Sequence, residues 1–230
     1  MIPGLAALGI RRLDLLIATH ADLDHRGGIP AVLRALPVGE VWLPQSGRGD
    51  PGFRELLTAA RERNVPVVER GSASPSAQFG DVRVTPFWPP GVGGGLRRND
   101  RSLVVGFEVA GRRVLIPGDL EASGEAALLG RGVDLRADVL ALAHHGSRTS
   151  SSRAFLRAVG PTVAVASAPC WSRFGMPHGE VLDRAREAGF PVWWTGRDGA
   201  VLIGLGDPLV AWGFTDLESS TDFRQICRSP

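Results

Sequence analysis

The segment ATHADLDHRGG, residues 18–28, concentrates side chains that bind metal ions. Its two histidines and two aspartates, His20, Asp22, Asp24 and His25, fall within six positions. Imidazole and carboxylate groups together suit a divalent transition metal, and charges this dense would repel one another without a cation. Four such groups exceed what one tetrahedral ion takes from so short a loop. The segment therefore predicts two adjacent metal ions.

The other three histidines of the chain also follow apolar segments or begin helices. His144 and His145 come directly after the apolar run LALA, and His178 stands at the start of a predicted helix. A carboxylate, Asp119, follows another apolar run in RVLIPGDLE. We favour a metal-bridging role for Asp119, and the alternative is that it caps the helix that follows.

Apolar runs of strand length alternate with helical patterns along the chain. This alternation predicts an α/β layered domain, and a hairpin signal at Ala110-Gly111 predicts a mixed sheet. Near the candidate ligands, the pattern predicts strands at 13–18 and 139–143 and a helix at 150–159. We place the domain at 1–214 and a tail without clear periodicity at 215–230.

The composition is that of a soluble globular protein, with 43% hydrophobic and 22% charged residues among 230. The sequence contains no run of about eighteen apolar residues, so no membrane span is predicted. No signal peptide is recognisable. The formal net charge of +2 is too small to argue for a nucleic-acid partner. The two cysteines have no zinc-ribbon spacing, so histidines and carboxylates are the candidate ligands.

Several segments resemble one protein family in the same order along the chain. They are THADLDHRGG, NDRSLVV, PGDLE, HHGSRTSSS, PHGEVL and TGRDGAV. They resemble the metallo-β-lactamase-like C-terminal domain of the ComEC DNA-internalisation competence family, over about residues 8–203. The resemblance implies an αβ/βα sandwich with metals at one edge. It also implies a metal-dependent nuclease that degrades the incoming DNA strand that is not imported.

The chain departs from that family in three respects. Met176 stands where the family usually has histidine. The family's opening strands, with an Asp-x-Gly-Gln-Gly-Asp-like segment, have no counterpart before Leu13, so we expect an N-terminally truncated sandwich. Residues 1–10 resemble the end of a helix stopped at Gly9. No segment of the sequence resembles the family's membrane channel domain, an expected partner, or its OB-like domain. The family position is the outer face of the cytoplasmic membrane.

The resemblance implies two divalent metal ions, Mn²⁺ or Zn²⁺, and a shared set of ligands. The set comprises His20, Asp22, Asp24, His25, Asp119, and His144 or His145. In this arrangement His20 and Asp22 hold one ion. Asp24 and His25 hold the other with one of the two later histidines, and Asp119 bridges. The first ion is then short of a nitrogen ligand, which water or Asp100 replaces, and such an oxygen-rich site suits Mn²⁺.

Further residues are expected to act on the substrate. Asp24, besides being a ligand, and His178 are the candidate catalytic residues. His178 would bind the scissile phosphate or donate a proton to the leaving group. Hydroxyl, amide and guanidinium groups are candidates for substrate binding: Ser147, Thr149, Ser150, Asn99, Ser102, Arg148, Arg97, Arg98 and Arg101. The alternatives are helix capping for the hydroxyls and a solvated charged loop for the arginines.

Together these features predict a metal-dependent phosphodiester hydrolase, a DNase of the ComEC type that acts in DNA uptake. Two alternatives stay open. One is a hydrolase of the same fold that acts on a small ester, lactone or phosphodiester, because fold and metals do not fix the substrate. The other is an inactive, truncated relic whose incomplete sheet exposes apolar surface.

Overall fold

The computed structural model describes residues 2–91 and 95–214, and the predicted tail at 215–230 lies outside them. Within these residues two β-sheets pack face to face, and helices cover both outer faces. None of the helices in the described ranges is both long enough and apolar enough to cross a membrane.

The first sheet has three parallel strands in the order β1-β2-β3. The strands are β1 (Leu13–Ile17), β2 (Val38–Pro44) and β3 (Val67–Arg70), and the helices around them are α1 (Ile2–Ala7), α2 (Leu23–Arg26), α3 (Ile29–Ala35) and α4 (Arg54–Glu62). The expected stop after the first helix is present, since Gly9 has a φ of 70°. The single turn α2 lies inside the predicted metal segment and was not predicted.

The second sheet has seven strands in the order β10-β9-β8-β7-β6-β5-β4. The strands are β4 (Ala77–Phe79), β5 (Val82–Trp88), β6 (Val104–Val109), β7 (Arg112–Ile116), β8 (Val139–Ala141), β9 (Val163–Ala166) and β10 (Val192–Trp194). Strands β4 to β7 are antiparallel and β7 to β10 are parallel. The predicted mixed sheet is therefore confirmed, with the hairpin turn at Ala110-Gly111 between the paired Val109 and Arg112.

The helices of the second half cover the outer face of this sheet, and a small hairpin follows them. The helices are α5 (Ala122–Leu129), α6 (Arg153–Val159), α7 (Gly179–Glu187) and α8 (Thr195–Asp198), and the hairpin pairs β11 (Ala200–Gly204) with β12 (Val210–Phe214). Short 3-10 turns lie at Gly47–Gly49, Pro51–Phe53, Asn99–Arg101 and Ala143–Gly146.

Three apolar clusters define the layers. On β1, Leu16 packs with α3 and α4, whereas Leu15 and Ile17 face the core between the sheets, as side-chain alternation along a strand requires. Trp42 of β2 lies fully buried in that central core. The third cluster joins the second sheet to α5, α6 and α7, with Phe155 at 0% exposure. The predicted αβ/βα sandwich is confirmed.

The predicted ligands follow strands that end at one edge of the sandwich. The N–H of Leu103 donates to the carbonyl oxygen of Thr19 at 2.7 Å and joins the turn after β1 to the second sheet. The N–H of His144 donates to the carbonyl oxygen of Gly118 at 3.0 Å and joins the turns after β8 and β7. The carboxyl ends of parallel strands converge at such an edge. Here the segment before β6 connects the turns, because the N–H of Asp119 also donates to the hydroxyl of Ser102.

Two element boundaries near the later histidines differ from the sequence-based prediction. Strand β8 ends at Ala141 instead of residue 143, because the next residues form the 3-10 turn Ala143–Gly146. Helix α6 begins at Arg153 instead of residue 150, because the Ser152 hydroxyl accepts the N–H of Phe155 at 3.2 Å and caps the helix there. Both shifts lengthen the irregular segment that carries the later histidines.

Gly118 permits the close approach of the three turns. Its φ is +61°, and a Cβ at this position would lie 2.9 Å from the Cβ atoms of both Ser102 and Thr19. Both the left-handed backbone and the contact favour glycine.

We expect Gly118→Ala to lower the free energy of unfolding by roughly 2–4 kcal/mol, from left-handed strain and overpacking together. Gly132→Ala is the matched control, because Gly132 has a φ of +68° and open space around its α-carbon. It should lose only the strain part, about 1–2 kcal/mol. Urea unfolding of both variants measures the difference, and equal losses would contradict the packing argument.

Candidate metal centre

Asp119 lies at the centre of the histidine cluster and is 3% exposed. Its Oδ1 is 3.0 Å from Nε2 of His25 and 3.8 Å from Nε2 of His145. Its Oδ2 is 3.6 Å from Nε2 of His20 and 3.6 Å from Nε2 of His144. The two oxygens of one carboxylate thus divide four histidines into two pairs.

On the Oδ1 side, Asp24 joins His25 and His145. The Nε2 of His145 is 3.3 Å from Oδ2 of Asp24 and 3.1 Å from Nε2 of His25. Ligand atoms of these three residues all lie within 4.8 Å of one another. The Nδ1 of His145 contacts the carbonyl oxygen of Ser167 at 2.7 Å. That contact places the ring proton on Nδ1 and leaves the Nε2 lone pair for a metal.

On the Oδ2 side, Asp22 lies beside His20, with its Oδ2 3.7 Å from Nε2 of the ring. Arg98 holds the other oxygen of Asp22 at 2.5 Å. His144 supplies a second imidazole on this side, and its Nδ1 is 3.5 Å from Oε1 of Glu121. The expected shortage of nitrogen ligands is therefore absent from the geometry, because each side of Asp119 has one of the two later histidines.

The donor set fits divalent metal ions. The Nε2 of His20 is buried and has no hydrogen-bond partner. Ligand atoms of His20, His25 and Asp119 also lie within 4.8 Å of one another. Mixed imidazole and carboxylate donors suit Zn²⁺, Mn²⁺ or Fe²⁺, and an unpartnered buried nitrogen aimed at a carboxylate is what a metal position requires.

Burial and charge set the protonation of the cluster. Burial, and then the charge of His25, lower the pKa of His20 to about 4, so this ring is neutral near pH 7. Burial alone would raise the pKa of Asp119, but the hydrogen bond and charge of His25 outweigh it and lower the pKa. Burial opposes protonation of His25, yet its contacts with Asp119 raise its pKa. Asp119 is therefore ionised and His20 offers a free lone pair.

The later histidines lie on a left-handed turn. His144 and His145 have φ values of 49° and 56°, and Gly146 follows at 80°. Non-glycine residues in this region cost about 1–3 kcal/mol each and persist where surrounding contacts determine the backbone. Here the N–H of His178 donates to the carbonyl oxygen of Gly146 at 2.9 Å, and that of Ser147 to His144 at 2.8 Å.

Two charged groups, one buried and one half-buried, fix the segment after this turn. The carboxylate of Glu125 accepts the N–H groups of Ser151 and Ser152, the latter at 2.8 Å. The guanidinium of Arg184 donates to the carbonyl oxygens of Ser150 and Ser151 at 3.0 and 2.8 Å. Burial raises the pKa of Glu125, although these hydrogen bonds oppose the rise. The clamp rigidifies the segment next to the metal centre.

Asp100 does not lie in a ligand position, which corrects the expectation that it completes the first metal. Its buried carboxylate accepts the N–H groups of Glu121 and Gly124 at 2.9 and 3.2 Å and the hydroxyl of Ser123 at 2.6 Å. Asp100 therefore supplies the acceptors for the start of α5. Asp119 does not perform that capping role.

Ser102 and Ser150 also do not face an open site, contrary to the substrate-binding prediction. Ser102 is fully buried, and its hydroxyl accepts the N–H of Asp119 at 3.0 Å. Ser150 is fully buried, and its hydroxyl donates to the carbonyl oxygen of Ala143 at 2.7 Å. Their hydroxyls are used inside the protein to position the ligand-bearing turns.

Thr149 and Asn99 converge on Glu121, a residue the sequence analysis did not single out. Oγ1 of Thr149 donates to Oε1 of Glu121 at 3.0 Å, and Nδ2 of Asn99 lies 3.4 Å from the same atom. Ser147 is buried, with its hydroxyl 3.0 Å from that of Thr149. Glu121 also contacts His144, so its place two residues after Asp119 in PGDLE was the available signal.

His178 stands before α7 and contacts Arg148 twice. The backbone N–H of Arg148 donates to Nδ1 of His178 at 3.2 Å, and the Arg148 guanidinium is 3.0 Å from Nε2. Both contacts therefore bring an N–H donor of Arg148 to a ring nitrogen of His178, since a guanidinium has no acceptor. Met176, where the family usually has histidine, is half-buried next to the buried Pro177.

A cavity of about 340 Å³ opens beside His20. Its walls are most of residues 44–53, from the end of β2 onward, on one side and Arg98 and Arg101 on the other. Arg101 also donates to the carbonyl oxygen of Leu96 at 3.2 Å. The cavity was not predicted, because it depends on how two sequence-distant loops pack.

We expect His145→Gly to be more stable than His145→Ala by about 1 kcal/mol, because glycine adopts the left-handed backbone without strain. Chelator is included so that metal binding does not contribute. The control pair is Ala127 and Ala127→Gly on the exposed face of the right-handed helix α5, where glycine should cost about 1 kcal/mol. Urea unfolding measures the free energy of unfolding of all four proteins. If glycine is less stable than alanine at both positions, the left-handed turn is contradicted.

Comparison with known proteins places the chain in a family. The model of the metallo-beta-lactamase superfamily matches residues 2–170. The diiron beta-hydroxylase CmlA from Streptomyces venezuelae has a similar fold, with a TM-score of 0.55 and 17% identity over 79% of this chain and 43% of that one. At that identity the likeness shows the fold alone.

Two curated relatives carry names from bacterial competence. ComE operon protein 3 of Bacillus subtilis (strain 168) is 33% identical over 206 residues, 87% of this chain and 26% of that protein. Competence protein ComA of Neisseria gonorrhoeae is 36% identical over 207 residues, 90% of this chain and 27% of that protein. The chain thus spans about a quarter of these relatives. It belongs to the metallo-β-lactamase superfamily, and its relatives there include competence proteins of the ComEC family.

Proposed function

We propose that this chain is a two-metal phosphodiester hydrolase that cuts DNA in a ComEC-type uptake system. The superfamily supports a metal-dependent hydrolase, and the competence relatives support a role in DNA uptake. The observation that carries the two-metal reading is Asp119, whose oxygens each face two imidazoles. Two adjacent metals are a common arrangement for phosphodiester cleavage.

In this proposal each ion has two nitrogen and two oxygen donors. The first would be held by His20, Asp22, His144 and Asp119, and the second by Asp24, His25, His145 and Asp119. Mn²⁺ and Zn²⁺ both accept such mixed sets. Divalent ions in such a site supply hydroxide from water at neutral pH and stabilise the charge that develops on phosphate.

The protein's own groups bind the phosphate and move the proton. Arg148 is exposed, and its guanidinium lies beside Nε2 of His178, so a phosphate placed there would contact both side chains. His178 would serve as the proton donor to the leaving oxygen. Thr149 is exposed and offers a further hydroxyl donor.

The cavity beside His20 provides room for the DNA strand on either side of the scissile bond. Arg98 and Arg101 line it, and phosphate groups along a nucleic acid favour such sites. Arg98 also pairs with Asp22. The same side chain would therefore contact the DNA backbone and hold a ligand of the first metal ion.

The larger context is part of the proposal. The curated relatives are about four times longer than the matched region. We infer that the domain works with the membrane channel domain of a ComEC-type protein at the outer face of the cytoplasmic membrane, where it would degrade the strand that is not imported.

The test is cleavage of linear DNA with Mn²⁺ or Zn²⁺, with and without chelator. We expect cleavage that chelator abolishes and that Asp24→Ala reduces by more than about 100-fold. Loss of a residue that only hydrogen-bonds a metal ligand costs about 10–100-fold, and loss of the ligand itself should cost more. Asp183→Ala is the control, since Asp183 is on α7 and pairs only with Arg186 among its described ion pairs.

The other outcomes separate the alternatives. Metal-dependent hydrolysis of bis(p-nitrophenyl) phosphate without DNA cleavage would favour a small-substrate hydrolase. A folded, metal-bound chain that hydrolyses neither compound would favour the inactive relic. Either result would contradict the DNase proposal.

A further inference from the structure

The loop at residues 168–177, here named the aromatic loop, exposes two rings. Trp171 is 68% exposed and Phe174 is 58% exposed, which makes them the most exposed aromatic side chains of the described residues. Large apolar side chains exposed together at one place often mark a binding surface.

Both ends of the aromatic loop are attached to the turn that carries the metal ligands. Before the loop, the carbonyl oxygen of Ser167 contacts Nδ1 of His145 at 2.7 Å. After it, the N–H of His178 donates to the carbonyl oxygen of Gly146 at 2.9 Å. A ligand held by this loop would therefore lie next to the metal centre.

A tight turn sets the tip of the loop. The N–H of Gly175 donates to the carbonyl oxygen of Ser172 at 2.9 Å, and that of Phe174 to the Ser172 hydroxyl at 3.2 Å. This turn brings the guanidinium of Arg173 to 4.6 Å from the centre of the Phe174 ring. The tip thus presents a cation together with an aromatic face.

The base of the loop is held independently of its tip. The N–H of Ala168 donates to Oγ1 of Thr195 at 3.1 Å, and the indole N–H of Trp194 donates to the carbonyl oxygen of Ala168 at 2.9 Å. The exposed rings make no contribution to these bonds, so their removal should leave the fold intact.

We propose that the aromatic loop is a stacking platform for unpaired bases, so that the preferred substrate is single-stranded DNA. This inference rests on the proposed nuclease function. Exposed aromatic rings beside guanidinium groups bind single strands, because every base has a face that stacks and every linkage carries a phosphate. Arg173 and, next to the loop's end, Arg148 supply the positive charge. The bases of duplex DNA are already stacked and paired, so their faces are not free to stack on such rings.

The test is binding without cleavage, in chelator, followed by fluorescence anisotropy. The probes are an oligothymidylate of about twelve nucleotides, within the range of known single-strand sites, and an abasic strand of equal length and charge. The unmodified protein should bind the thymidylate at least about tenfold more tightly, because stacking adds to phosphate contact. In the double variant Trp171→Ala/Phe174→Ala this preference should disappear.

Trp212→Ala is the matched control, because Trp212 is 49% exposed but lies on β12, outside the aromatic loop. It should keep the preference for bases. Thermal melting of all variants establishes that each is folded.

Three results would overturn the inference: no preference for bases in the unmodified protein, a preference that survives in the double variant, or equal loss in Trp212→Ala. The inference would also fail if the double variant lost only its binding to vesicles that contain anionic lipid. That result would identify the aromatic loop as a membrane contact. If chelator-sensitive DNA cleavage is present while base preference is absent, only this inference fails. If the protein neither binds nor cleaves DNA, the proposed function fails as well.

Discussion

The negative charge of Asp119 must be balanced inside the protein, and the surrounding structure is arranged around that need. A buried carboxylate is costly unless donors or cations compensate it. Here four imidazoles face its two oxygens, and its backbone N–H is bound by the hydroxyl of Ser102. Gly118 lets the turn approach closely enough for these contacts. The centre therefore depends on three turns meeting at one edge of the sandwich.

The left-handed backbone at His144 and His145 lowers local stability, and it directs the two side chains to different sides of Asp119. A left-handed turn at His144 and His145 is unfavourable, but it lets consecutive residues reach opposite oxygens of Asp119. The buried Glu125 and the half-buried Arg184 hold the following segment from two helices. Strain at the ligands is thus balanced by hydrogen bonds a few residues away.

Much of this could be predicted from local sequence and some could not. The clustering of donor side chains from residues 18–28 and the layered fold were predictable, because donor chemistry and strand periodicity are local properties. The roles of His144 and His145 were not, since they depend on φ values that two adjacent histidines do not reveal. Asp100 was interpreted as a ligand because carboxylates look alike in sequence, and only packing shows that it serves the start of α5.

The division of the histidines by Asp119 is the central claim, and anomalous X-ray diffraction from crystals grown with Mn²⁺ or Zn²⁺ tests it most directly. The account predicts two anomalous peaks about 3.5–4 Å apart, one beside each oxygen of Asp119. One peak should have His20 and His144 as neighbours, and the other His25 and His145. A single peak, or peaks that share both later histidines, would contradict it.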